Sequence, residues 1–453
     1  MSTQVSEKQL LNDIQPFILN SDAEGVNELL LNYRPEDIAD IFWNLDIDEA
    51  KFLIKVIDKK KAVEVIRSLD EELQERLFKA YDAREIADDV VSYLDSDDSV
   101  DILNLFPTQK AEEVLSYLSD QDYAKNLAAM LHYDDDIAGG LMAKELVQVK
   151  HNWTVSQCIE EIRKQAEEVE SVHTVYVVDE KNILKGVVSL KDIVLAKAHT
   201  SVIEITNTEF ISVNAYATGE EVARLMTKYD LITVPVMDSM NRLIGRITID
   251  DVVDFIKEEA DRDFQLQAGL SENVESEDKV LILSRARLPW LLIGLVGGLG
   301  SSMLVSNFEG DISKLPQIAF FMPVVAAMGG NAGVQSSAII VQGLANNTLK
   351  SKNIMPKLAK EFTVSLINGL ACSAILLLFN VILGHAYDLS MVVSIALITV
   401  IIFASILGTV TPLVLERFKI DPALATGPFI TTINDVIGLG VYFLLGRMLL
   451  GTF

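Results

Sequence analysis

Residues 175–194 read VYVVDEKNILKGVVSLKDIV, and residues 234–253 read VPVMDSMNRLIGRITIDDVV. The second stretch repeats the first at an offset of 59 residues. Val175 and Val234, Val177 and Val236, Asp179 and Asp238, Asn182 and Asn241, Leu184 and Leu243, Gly186 and Gly245, Asp192 and Asp251, and Val194 and Val253 match in pairs. Each copy reads as an apolar strand, a polar turn, a second strand and then a helix. The helix opens at Ser189-x-x-Asp192 or Thr248-x-x-Asp251, where a hydroxyl can cap the first free N–H groups. The middle of the chain is therefore a duplicated α/β unit.

The two flanks of this unit differ sharply. The chain has 453 residues, with 65 acidic and 38 basic side chains and a net charge of −27. That length predicts several domains. Residues 285–453 hold ten Lys and Arg against seven Asp and Glu, so the acidity lies in front of them. An acidic front on an apolar back excludes a simple soluble enzyme and a disordered chain. It also excludes a general nucleic-acid binder, since phosphates attract the opposite sign. Cys158 and Cys372 fall in different layers, so no disulfide is expected, which fits a reducing compartment for the front. The start, MSTQVSEKQLLNDIQPF, lacks a basic segment followed by an apolar one, so no cleavable signal peptide is expected.

A helix needs about 20 apolar residues to cross the hydrocarbon core of a bilayer. Five stretches qualify: Leu288–Val305, Ile318–Ala345, Phe362–Leu383, Met391–Leu415 and Ala423–Leu450. Arg285 and Arg287 precede the first. The second loop carries Lys350, Lys352, Lys357 and Lys360, and the fourth carries Arg417 and Lys419. The first loop has only Lys314, and the third has neither Lys nor Arg. Basic residues thus alternate in side, which predicts a cell-membrane protein with its front in the cytoplasm and its C-terminus outside. Asp435, in TTINDVIGLG, is the only carboxylate well inside a span, and such a group defaults to a functional role. The second span contains PVVAAMGGNAGVQSS (323–337). Gly329, Gly330 and Gly333 permit close helix approach, and Asn331 and Gln335 offer amide oxygens to a cation or its water shell.

Residues 1–135 carry helical periodicity in RPEDIADIFWNLD (34–46), AREIADDVVSYLD (83–95) and TQKAEEVLSYLS (108–119), which predicts stacked short helices. Acid clusters stand at Asp95, Asp97, Asp98 and Asp101, at Asp134–Asp136, and along Asp250 to Asp263. For any one residue the plain reading is a solvated face or a helix start. For the set, opposed carboxylates that a divalent cation neutralises make an electrostatic switch. A linking helix near 263–284, bearing Glu272, Glu275, Glu277 and Asp278, leads to the membrane.

The duplicated unit resembles a CBS-domain pair. The order of acidic helices, CBS pair, linking helix and five spans resembles the MgtE family of magnesium channels, whose pore helices MGGNAGVQSS (328–337) and TINDVIGLG (432–440) are similar to. The expected architecture is an all-α superhelical domain (1–135), two CBS domains (136–199 and 200–262), a linking helix (263–284) and a transmembrane domain (285–453). The resemblance implies a homodimer in a lipid membrane, with Mg²⁺ passing a pore lined by the second and fifth spans. It implies that Asp435 binds hydrated Mg²⁺, among pore-lining Gly329, Gly330, Asn331, Gly333, Gln335 and Asn434. It implies regulatory Mg²⁺ sites at Asp97, Asp98, Asp101, Glu220, Asp230, Asp251, Asp254, Glu259 and Asp263. It also implies ATP as a regulatory ligand at Ser189 and Asp192, although Lys191 stands where an arginine is usual. Lys257 and Arg262 stand on the sensing helix where acids would be expected. The expected function is Mg²⁺ uptake through a channel that intracellular Mg²⁺ closes, with no catalytic residues. Two other classes are a proton-coupled carrier using Asp435 as relay and a membrane aspartyl protease pairing two Asp435. For the second, no further catalytic group stands nearby, and His385 falls in a loop.

Overall fold

The computed structural model describes residues 7–450 apart from 167, 168, 170, 272, 273, 275–278, 346–348, 350–353 and 426. Two units divide the chain, Met1–Ile256 and Lys257–Phe453.

The first unit begins with short helices from Glu7–Leu19 to Gln121–Met130. Many of the acids are caps. Asp22, Asp46, Asp82 and Asp120 each accept from backbone N–H groups of the following turn, which satisfies donors a helix start leaves free. Basic side chains close the opposite ends of helices about thirty residues away in the chain. Lys61 Nζ donates to Leu30 O and Tyr33 O, both at 2.6 Å. Arg76 reaches Leu45 O, and Lys51 reaches Ala80 O. Lys110 Nζ donates to Phe78 O at 3.3 Å. Neighbouring helices are thus pinned together by a cation on the negative end of a helix.

The duplication is exact in topology. Strands β1 (Gln148–Lys150), β2 (Thr174–Val178) and β3 (Leu184–Ser189) form one sheet. Strands β4 (Val213–Asn214), β5 (Thr233–Met237) and β6 (Leu243–Thr248) form the other. In each, the first pair is parallel and the second antiparallel, with a register shift at Val177/Val178 and again at Val236/Met237. Asn182 and Asn241 take φ of 63° and 59° in the turns, where asparagine is tolerated. Asp179 Oδ1 accepts from the N–H of Lys181 and Ile183, and Asp238 Oδ1 from Met240 and Arg242. Gly186 and Gly245 are needed because a methyl there would come within 2.5 Å of Asn207 O and 2.8 Å of Ala143 O. Helices α1 (Val155–Gln165) and α2 (Leu190–Leu195) complete the first copy, and α3 (Gly219–Tyr229) and α4 (Ile249–Ala268) the second. The N-terminal helices share one continuous core with the second copy, from Leu10 through Val222, Val234 and Ile247. The first copy keeps a core of its own around Val155, Val175 and Val188.

The linking helix differs from expectation. Residues 263–268 are the last turns of α4, which ends before Gly269 at φ 83°. Glu272, Glu275, Glu277 and Asp278 lie outside the described residues, and Val280 already opens the first membrane helix. The second unit holds α5 (Val280–Ser306), α6 (Met322–Ala345), α7 (Met355–Ile382), α8 (Tyr387–Arg417) and α9 (Gly427–Leu450). All five are long and apolar enough to cross a membrane. Helix α8 packs against α6, α7 and α9 and buries Val393, Val400 and Ala404 among them.

Glu85 yields a pH prediction. Its carboxylate accepts from Lys51 Nζ at 2.8 Å and Lys55 Nζ at 2.7 Å, and these bonds bring it down to about 2. The folded value lies below the unfolded one, so the contribution is complete above the unfolded value and fades as pH falls toward 2. Glu85→Gln should cost about 1 kcal/mol at neutral pH, read as faster proteolysis of the N-terminal helices. The difference from the parent should shrink between pH 5 and pH 3. An equal difference at every pH would remove the electrostatic explanation.

Candidate cation sites

In the first unit, three segments bring acids together. Asp95 caps the helix Ser96–Asn104, placing Asp97 and Asp98 in its first turn. Asp250 and Asp251 lie in the first turn of α4. Glu145 comes from the irregular stretch before β1. Thr248 donates its backbone N–H and its hydroxyl to Asp251 Oδ2, at 3.0 and 2.5 Å. Arg67 reaches both groups, with Nε 3.3 Å from Asp98 Oδ1 and Nη2 3.8 Å from Asp250 Oδ2. Burial holds the Asp97 carboxyl well above the usual carboxylate range, and the charges of Asp98 and Asp251 push it the same way. Burial also raises Asp251, against the hydrogen bonds from Thr248. Asp95, Asp97 and Glu145 each offer an oxygen within 4.8 Å of the others. Ser96 fixes Glu145 by donating its N–H at 3.1 Å and its hydroxyl at 2.7 Å. Such a set of hard oxygens suits a divalent cation.

Of the acids expected from the sequence, Asp97, Asp98 and Asp251 converge. Asp101 and Asp254 are exposed, each about one turn farther along its helix. Glu220 in the first turn of α3 and Asp230 at its C-cap are separated by about 15 Å of helix, too far to share one ion. Glu259 pairs with Arg262 at 3.4 Å, and Asp263 follows one turn later, both on the part of α4 in the second unit. Ser189 caps α2 and donates to Asp192 Oδ2 at 2.6 Å. Asp192 is exposed. Sequence reading left Arg67 and Glu145 out. Asp95 was visible only as a helix start, and Glu145 lies outside any periodic segment.

In the second unit, α9 lies in notches made by glycine. A methyl on Gly297 would come within 1.8 Å of Thr432, one on Gly330 within 3.2 Å of Thr431, and one on Gly333 within 1.9 Å of Asn434. Gly329 and Gly333 form the small-xxx-small spacing that lets membrane helices touch. Gly329, Gly330, Gly333 and Asn434 are buried inside this single chain, whereas Asn331 and Gln335 are exposed. They share their face of α6 with exposed Val324 and Ile339. Asp435 is half-buried between these surroundings. The start of α9 meets the end of α4. A methyl on Gly427 would lie 2.3 Å from Gln267 O, and one on Gly269 would lie 2.6 Å from Pro428. Ser271 also donates its N–H and its hydroxyl to Ala286 O of α5.

Comparison with known proteins places these features in a family. The divalent cation transporter domain of MgtE matches residues 322–445, the MgtE intracellular N domain 33–136, and the CBS domain 136–199 and 202–258. The magnesium transporter MgtE of Thermus thermophilus is 33% identical over 98% of this chain and 99% of its own. That of Bacillus subtilis is 31% identical over 96% of this chain and 92% of its own. A crystal structure of the cytosolic domain of the Mg²⁺ channel MgtE in complex with ATP superposes with a TM-score of 0.51 at 33% identity, covering 54% of this chain and 99% of that one. With all three parts matched in order and relatives aligned over nearly their whole length, the chain belongs to the MgtE family of divalent cation transporters.

Proposed function

We propose that this protein is a homodimeric, Mg²⁺-selective uptake channel closed by intracellular Mg²⁺. The observation that carries the reading is Asp435, a half-buried carboxylate in the middle of a membrane helix. A mid-membrane carboxylate is costly unless it meets water or a cation. Mg²⁺ sheds its water shell reluctantly, so a pair of Asp435 side chains on a two-fold axis holds the hydrated ion through its waters. Asn331 and Gln335 support the dimer, because amides on the outside of a membrane helix need water or another chain. The two CBS copies support it as well. Leu190, Val194, Ile249 and Val253 form equivalent exposed apolar positions 59 residues apart. The alternation of basic loops supports cytoplasmic front domains and an outward C-terminus.

Closure follows from the acidic cluster. At low Mg²⁺ the carboxylates of Asp97, Asp98, Asp250 and Asp251 repel, with Arg67 between Asp98 and Asp250. Bound Mg²⁺ neutralises them and draws the N-terminal helices onto the second CBS copy. Helix α4 then bears on Gly427 and Pro428 at the start of the pore helix. The exposed Asp192 carboxylate suits the hydroxyls of a ribose, which supports ATP as a regulatory ligand, as in the solved relative.

Asp435→Ala should abolish or strongly reduce Mg²⁺ flux into liposomes while leaving an assembled dimer. Near-normal flux would remove Asp435 from the pore. Flux that vanishes with the proton gradient would favour a proton-coupled carrier instead.

Replacing Asp251, Asp254, Glu259 and Asp263 together by their amides should leave the channel open at Mg²⁺ levels that close the parent. Moving a gate from 1:99 to 99:1 takes about 5.5 kcal/mol, which several bridged ions supply and one exposed ion pair does not. An unchanged midpoint of current against cytoplasmic Mg²⁺ would remove these four as sensors.

The raised Asp97 and Asp251 add a pH effect. Protons compete with Mg²⁺ at a carboxylate whose value is raised. Acidification from neutral pH should therefore weaken closure by Mg²⁺ while making the Mg²⁺-free soluble domains more compact. Protease protection across a Mg²⁺ titration at neutral and at acid pH reads both effects.

A further inference from the structure

Neighbouring residues on a helix point about 100° apart, so whatever holds Asn434 sets the direction of Asp435. Asn434 is only 2% exposed. Its Nδ2 lies 3.5 Å from Gly329 O, the outer limit of a hydrogen bond. The same nitrogen occupies the notch at Gly333, where a methyl would come within 1.9 Å of it and 2.8 Å of Ile430 Cγ2. Behind that notch, a methyl on Gly408 would come within 2.2 Å of Gly333 O. The backbone of α6 is thus clamped between Asn434 of α9 and Gly408 of α8. Asn434 Oδ1 has no hydrogen-bond partner among the described residues. A buried amide oxygen left so works against folding, and packing alone would be served better by an apolar side chain of similar size.

We propose that Asn434 is a positioning residue for ion conduction. By seating its amide in the Gly329–Gly333 notch it fixes the rotation of α9, and with it the line along which Asp435 presents its carboxylate. The inference rests on the reading of Asp435 as the ion site. It departs from a pore-lining role for Asn434, because the side chain faces the inside of the bundle. Mg²⁺ imposes a strict octahedral shell, whereas Ca²⁺ accepts varied geometries. Loss of the lock therefore acts on Mg²⁺ more than on Ca²⁺.

The test uses the full-length protein in liposomes, with Mg²⁺ and Ca²⁺ flux measured side by side. Asn434→Ala should raise the Mg²⁺ concentration for half-maximal flux about tenfold and lower the preference for Mg²⁺ over Ca²⁺, with dimer assembly and melting temperature retained. Gly333→Ala should abolish flux, because its methyl displaces the amide. The double variant Gly333→Ala/Asn434→Ala should return assembly and flux toward the level of Asn434→Ala, since the 1.9 Å clash with the amide is then gone and only the Ile430 methyl, at 2.8 Å, has to give. If Asn434→Ala does not assemble, Asn434→Ser is read by the same two quantities. An assembled Asn434 variant with the parent's half-saturation and preference overturns the proposal. So does a Gly333→Ala defect that removing the amide fails to relieve. Asp435→Ala, run in parallel, separates the two readings. If it conducts normally, the pore assignment itself falls. If it is silent while the Asn434 variants match the parent, only the positioning role falls.

Discussion

Carboxylates placed where water is scarce must find a proton, a cation or distance, and this sequence gathers many of them at one junction. Asp97, Asp98, Asp250 and Asp251 share surroundings in which Arg67 is the basic group seen to reach both helices. Two like charges 4 Å apart repel by about 4 kcal/mol at an effective dielectric constant of 20, while a surface ion pair returns about 0–1 kcal/mol. Arg67 brings one positive charge to these four carboxylates. Burial first, and the neighbouring carboxylates second, make Asp97 and Asp251 hold a proton more tightly than usual. A divalent ion neutralises two carboxylates without removing their oxygens. Under the proposed reading, the dependence on cation concentration follows from these clustered negative charges.

The membrane unit faces the opposite problem. Lipid is as apolar as leucine, so burial of apolar area does little to hold helices together there. Close contact takes over, and glycine provides it. Gly297 of α5 and Gly330 and Gly333 of α6 receive Thr432, Thr431 and Asn434 of α9. The helix that carries Asp435 is therefore held by the shape of its neighbours on two sides. Hydroxyls in these spans turn back on their own helices, as Thr431 does to Gly427 O at 2.9 Å. Ser336 also reaches across to Glu361 Oε1 at 2.6 Å, giving the one carboxylate near the base of α7 a donor on α6.

Sequence reading went furthest where local chemistry repeats. The offset of 59 carried over to the paired turns at Asn182 and Asn241, the glycines at 186 and 245, and the identical strand pairing. The five spans were legible because length and hydropathy are summed over many residues. Gly333 and Asn434 were singled out; that they fill one another's space depends on helix rotation, which no one-dimensional pattern encodes. The acidic cluster was half legible. Asp97 and Asp98 stood out by density, whereas Glu145 and Arg67 join them from 48 residues after Asp97 and from 31 before Asp98. The continuous core between the N-terminal helices and the second CBS copy was likewise a matter of long-range packing.

The linking helix gives the remaining step. Helix α4 runs from Ile249 to Ala268 without glycine or proline, and sharp bends in helices are almost always found at such residues or at inserted bulges. It is about 30 Å long. Its first turn carries Asp250 and Asp251, and its last residues meet Gly427 and Pro428. Gly427 itself sits at φ 51°, a conformation that resists any side chain, and its space is filled by Gln267 O. Under the proposed reading, this helix carries a change in charge at its start to its end. The receiving end is a backbone contact, in which neither side has a flexible side chain to absorb the motion. Under the proposed reading, cations bound at an acidic junction thereby act on a helix whose carboxylate lies about two turns farther along the chain.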